Sequence, residues 1–109
     1  MNPYPMRLSG YTFTMLTALC FVQVKSGHIN EVGEALTRVP GVTTVYSVTG
    51  KIDLVVIITV KDHEEVARIV NDKIGVVAGI ESTETHIAFK TYLKEDIEAG
   101  FSIGTEGGF

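Results

Sequence analysis

Apolar positions recur along this chain with two different periods, and the switching between them divides the sequence into six elements. From Thr17 to Val24 (TALCFVQV) the residues form an apolar run of strand length, broken at Ser26-Gly27. Ile29, Val32, Gly33, Leu36 and Val39 then follow at the three-and-four spacing of one helix face, with Asn30 and Glu31 near its start and Pro40-Gly41 as its stop. Val42 to Thr49 (VTTVYSVT) alternates in polarity and is rich in β-branched residues, which predicts a strand. Gly50-Lys51 turns the chain into Asp53 to Val60 (DLVVIITV), a second nearly all-apolar run. Asp62 with Glu65 three residues later has the form of a capping box, and Val66, Ile69, Val70 and Ile74 supply the apolar face of the helix behind it. Ile80 to Thr91 (IESTETHIAFKT) alternates again as a last strand.

The two halves repeat one plan. Val24-Lys25 leads into a helix and Pro40-Gly41-Val42 opens a strand; Val60-Lys61 leads into a helix and Ala78-Gly79-Ile80 opens a strand. A doubled split βαβ unit predicts an α+β ferredoxin-like βαββαβ sandwich, with a four-stranded antiparallel sheet and two helices on one face. In that topology the first and third strands are central, and here they are the continuous apolar runs, while the edge strands alternate.

Two helices cover one face of such a sheet, so a strand packed on one side only should alternate. Leu54 to Ile58 do not, and neither do Ala18 to Val22. Leaving large apolar side chains wet costs roughly 1.5–3 kcal/mol each. The second face is therefore expected to pack on another copy of the same sheet, giving a homodimer of closed two-fold symmetry. The competing arrangement folds both chain ends back over that face.

Composition narrows the range of functions. The chain has 109 residues, 45% hydrophobic and 20% charged, which fits one folded domain. Its net charge of −4 and scattered basic residues speak against direct nucleic-acid binding. Cys20 is the single cysteine, so no internal disulfide forms, and its apolar surroundings predict a buried, inert thiol. This suits a cytoplasmic setting. No secretory signal is legible, and no apolar run reaches the roughly 20 residues that span a bilayer. Residues 1–14, mixed in character, and 95–109, with Gly104, Gly107 and Gly108 near the end, read as a flexible arm and tail around a domain at 15–94.

Pro40-Gly41-Val42, Gly50-Lys51-Ile52-Asp53 and Leu54-Val55-Val56 occur in this order, followed by Gly79-Ile80, Ser82-Thr83-Glu84-Thr85 and Ile87-Ala88-Phe89. The set resembles the ligand-binding half of the Lrp/AsnC regulators, the RAM domain, over about residues 15–92. No one of these motifs is decisive; the ordered set is what carries the resemblance. It implies an amino-acid effector bound between subunits of a dimer-of-dimers assembly that can close as an octamer. Full-length members carry a helix-turn-helix DNA-binding domain, and the residues before Met15 are too few for one. The resemblance is therefore to a stand-alone sensing domain acting through partners, full-length family regulators among them.

The resemblance also directs attention to particular residues. Gly50 and Asp53 flank the turn that the family uses at its ligand site; a glycine allows close backbone approach, and a carboxylate could accept from an α-ammonium group. An ordinary hairpin turn, with Asp53 bonding backbone N–H groups, accounts for the same pair. Ser82, Thr83 and Thr85 offer hydroxyls to a ligand carboxylate, or simply line a solvated edge strand. Tyr46 is placed either in the same cleft or in an aromatic cross-strand contact. His28, His63 and His86 lack ligand spacing, and neither a metal nor any other cofactor is expected. No nucleophile elbow or phosphate loop is present, so no catalytic residue is assigned. Two other readings are a cofactor-free monooxygenase-like enzyme on a dimeric α+β scaffold and a purely structural oligomerisation module.

Overall fold

The computed structural model describes residues 7–8, 11–12 and 15–95. Four strands, β1 (Leu16–Val24), β2 (Val42–Ser47), β3 (Leu54–Val60) and β4 (Ile80–Ile87), form one antiparallel sheet in the order β2-β3-β1-β4. The two apolar runs are the central strands, as the ferredoxin-like plan requires. Helix α1 (Ile29–Thr37) and helix α2 (His63–Arg68) both pack on one face. Within the expected arm, Arg7–Leu8 pairs antiparallel with Tyr11–Thr12; the rest of 1–14, and the tail beyond Glu95, lie outside the described residues.

Register assigns every strand residue to a face. Val45, Val56, Cys20 and Thr85 stand in one cross-strand row, and Tyr46, Val55, Phe21 and Glu84 in the next. Successive residues alternate sides, so the first row faces the helices and the second faces away. On the helix side Ala18, Cys20, Val22, Leu54, Val56 and Ile58 are buried against Val32, Leu36, Ile69 and Ile74. On the open side Leu19, Phe21, Val55 and Ile57 remain half-buried. The non-alternating runs thus resolve into one buried face and one apolar face that stays half-exposed among the described residues.

Helix boundaries follow local chemistry. The Asp62 side chain accepts from Glu65 N at 2.9 Å, but the Glu65 carboxylate turns to Arg68 Nη2 at 2.8 Å, so only half of the capping box forms. After Arg68 the helix widens into a π turn over Ile69–Ile74, closed by Gly75 N donating to Val70 O at 2.8 Å. That register stacks residues five apart, which brings both Ile69 and Ile74 into the core. Two glycines sit where no side chain fits. Gly41 has φ +96°, and a Cβ there would lie 2.6 Å from Ile69 Cδ1. Gly79 has φ +100°, and a Cβ there would lie 3.0 Å from Val32 Cγ2.

Candidate functional site

The turn between β2 and β3 is tied to the end of β1 by main-chain and side-chain bonds. Strand β3 begins at Leu54 opposite Val22, so β1 runs on beyond its last β3 partner while still paired with β4. The N–H of Val24 in that overhang donates to Asp53 Oδ2 at 2.8 Å, and Asp53 N donates to Val22 O at 3.0 Å. Val48 N closes the turn on Asp53 O at 3.0 Å, with Gly50 in open space at its tip. Asp53 therefore uses its carboxylate on the backbone, the hairpin arrangement that is one of the two roles its sequence position allows.

Gln23 joins this turn to β4. Its Nε2 donates to Lys51 O at 3.0 Å, and its Oε1 accepts from Ser82 Oγ at 2.7 Å. The bridge spans a surface cleft of about 440 Å³ at one end of the open sheet face. Phe21 and Ile52 give the cleft its apolar surface, Lys51 and Glu84 its charges, and Gln23 and Ser82 its neutral polar side chains, with Thr83 at its border. His86 stands edge-on to Phe21, with ring centroids 5.3 Å apart, and its Nε2 lies 2.8 Å from Glu84 Oε2.

The residues singled out from sequence are only partly brought together. Ser82 and Thr83 border the cleft beside the Gly50–Asp53 turn. Thr85 pairs with Cys20 on the helix side, where its Oγ1 is buried and has the Cys20 thiol as its polar neighbour. Burial pushes the Cys20 thiol up from its ordinary value, an effect that the neighbouring Thr85 hydroxyl partly offsets. Tyr46 is exposed on β2, across Val55 from Phe21, and does not line the cleft. Gln23, Lys51 and Glu84 are cleft residues that the sequence reading passes over. Strand alternation holds the signal for two of them, since it puts Ser82, Glu84 and the register partner Gln23 on one face.

A second hollow, of about 240 Å³, lies between α1 and β2, with Gly33 and Leu54 at its surface and Glu34 and Ser47 among its polar groups. Among the described residues no three of His, Cys, Asp and Glu converge as metal ligands, and no helix is long and apolar enough to cross a membrane.

The sequence and fold match a known ligand-binding domain. The family model described as the Lrp/AsnC ligand binding domain matches residues 17–97, and the chain belongs to that family. It is 41% identical over 86 residues to the HTH-type transcriptional regulator FL11 of Pyrococcus horikoshii, covering 79% of this chain and 55% of that protein. The FL11 regulator of Pyrococcus furiosus is 36% identical over 83 residues, covering 76% of this chain and 54% of that protein. The chain thus spans about half the length of these curated relatives. Among solved structures, TTHA0845 from Thermus thermophilus superposes with a TM-score of 0.69 at 38% identity, covering 72% of this chain and 99% of that one. AsnC of E. coli shares the fold, with a TM-score of 0.68 at 20% identity over 72% of this chain and 53% of its own.

Proposed function

We propose that this domain senses a small molecule of the amino-acid class and works as a homo-oligomer. The observation that carries the reading is the cleft at the Gly50–Asp53 turn, where Lys51 and Glu84 place opposite charges around a lining fixed by the Gln23 bridge. A zwitterion satisfies both charges at once. Membership in a family of ligand-binding regulatory domains supports it, and NMB0573 of Neisseria meningitidis, which shares the fold with a TM-score of 0.64 at 15% identity over 86% of this chain and 59% of its own, was solved as an L-Met complex. In this reading Gly50 and Asp53 shape the turn, while Lys51, Ser82 and Glu84 face the ligand, with Thr83 at the margin.

The open face supports assembly. Leu19, Phe21, Val55 and Ile57 lie side by side on the central strands, and a second copy of the same face covers them by self-complementarity. Longer regulators of the family are candidate partners for the same face, and the company of transcription regulators supports a cytoplasmic role.

Thermal denaturation against the standard amino acids, with light scattering on every sample, tests both parts. A ligand that binds only the folded state at a hundred times its Kd adds about 2.7 kcal/mol of stability. No amino acid raising Tm would overturn the sensing role. A monomer in solution, or a dimer unaffected by Val55→Asp, would overturn the assembly.

A further inference from the structure

Two surfaces away from the cleft match each other: the segment that follows β4 and the hollow between α1 and β2. Of the six large hydrophobic residues exposed among the described residues, Phe89, Tyr92 and Leu93 fall on this one segment, Phe89 completely bare. Apolar side chains scattered singly over a surface are ordinary; a run of them marks a contact. Ala88 N donates to Thr17 O at 2.8 Å, and from there to Leu93 the chain belongs to no helix or strand. In the hollow, Ile29, Val45 and Leu54 give apolar surface and Glu34 a carboxylate. Its volume of about 240 Å³ falls below the roughly 300–1,000 Å³ of small-molecule pockets and suits one large side chain.

The chain's own Phe89 cannot fill this hollow. Ile87 pairs with Ala18 and Leu54 with Val22, so segment and hollow sit at opposite ends of the central strands. They also flank opposite edges of the sheet, β4 and β2, three strand spacings or about 14 Å apart. Two residues beyond Ile87 reach about 7 Å. A second copy has no such restriction, and charge favours it. Lys90, next to Phe89, holds its Nζ 5.1 Å over the Tyr92 ring and meets no carboxylate among the described residues, and Glu34 meets no cation there. Covering Phe89 and Tyr92 removes about 300–500 Å² from water. With the facing surface this makes about 600–1,000 Å², the size of a weak, reversible contact. We propose that residues 88–93 of one copy dock on the α1–β2 face of a second copy, with Phe89 in the hollow and Lys90 against Glu34. The contact joins two different surfaces, so it links copies head to tail, apart from any pairing through the open sheet face.

A fluorescent peptide of residues 87–95, titrated by anisotropy against the whole chain carrying Phe89→Ala, tests the docking without competition from the chain's own anchor. Saturable binding is expected, and Phe89→Ala in the peptide should weaken it about tenfold or more. Gly33→Met in the protein should abolish it: a Cβ at Gly33 meets Leu54 Cδ2 at an ordinary 3.9 Å, so helix α1 accepts the side chain, which then fills the hollow. Lys90→Glu in the peptide should weaken binding, and Glu34→Lys in the protein should restore it. Circular dichroism checks that the variants fold, and if Gly33→Met does not, the charge exchange decides. In the parent chain, light scattering should show species that shrink on dilution. Phe89→Ala and Gly33→Met should each reduce them, and mixing the two variants should restore them in part, since one keeps the hollow and the other the anchor. No binding of the peptide, or binding that survives Gly33→Met or ignores the charge exchange, overturns the proposal. None of these results bears on the sensing role, which is read at the separate cleft.

Discussion

Asp53 is where sequence and structure give the sharpest mutational test. Its carboxylate receives the Val24 N–H at 2.8 Å, at a point where β1 has outrun β3. Asp53→Ala leaves a part-buried backbone donor without an acceptor and removes a charged one. Hydrogen bonds to charged groups contribute about 1.5–3 kcal/mol, and half-burial lets water repair part of the loss, so about 1–2 kcal/mol is expected. For a domain of this size each kcal/mol moves Tm by about 4–8 °C. Asp53→Asn keeps an oxygen in place and should lose less than Asp53→Ala. Denaturant unfolding at fixed protein concentration, which removes the mass-action contribution of assembly, reads the difference. Since the carboxylate is already engaged, Asp53→Asn should leave effector affinity nearly unchanged. Asp53→Ala unfolding within about 0.5 kcal/mol of the parent would refute the tie between turn and strand. A stable Asp53→Asn that no longer binds would return this carboxylate to the ligand.

Three further outcomes follow from the core. Gly41→Ala combines a left-handed backbone with a Cβ 2.6 Å from Ile69 Cδ1, and should cost about 2–4 kcal/mol in denaturant titration. Thr85→Val removes a buried hydroxyl whose polar neighbour is the weakly bonding Cys20 thiol, and should change stability by less than about 1 kcal/mol in the same assay, where removing a strongly bonded hydroxyl would cost more. The raised Cys20 pKa means that the unfolded thiol ionises before the folded one. Its contribution is intact below the ordinary value of 9.0 and is lost as pH rises beyond it, by up to about 1.4 kcal/mol per pH unit. Stability curves of the parent and of Cys20→Ala should therefore converge in alkali, and curves that stay parallel would contradict the burial.

Topology is legible because periodicity and strand chemistry agree: continuous apolar runs mark β1 and β3 as central, and alternation marks β2 and β4 as edges. Asp62 is legible as a cap because N-capping is a local affair of a few residues. The π turn is not. Val66, Ile69, Val70 and Ile74 also satisfy an ordinary helical stripe, and only the packing of Ile69 with Ile74 in one core distinguishes the two. In the site, the turn at Gly50–Asp53 shows in the sequence, but the neighbours that complete the cleft do not. Gln23 sits inside what reads as an apolar run, and its importance comes from Lys51 and from Ser82, 28 and 59 residues away in sequence. Ser82 and Thr85 look like one cluster in a string of letters, yet the pleat sends them to opposite faces of the sheet.

The two crowded glycines have a consequence for how the chain folds. Gly41, which opens the closing strand of the first half, is packed by Ile69 of the second half, and Gly79, at the matching place in the second half, is packed by Val32 of the first. Each half thus supplies the wall against which the other half closes, like two clasped hands. Neither βαβ unit holds a finished interior by itself, so the chain should gain its structure in a single cooperative step. A cut in the exposed turn at Gly50 would yield two fragments that stay unstructured apart and restore the fold when mixed.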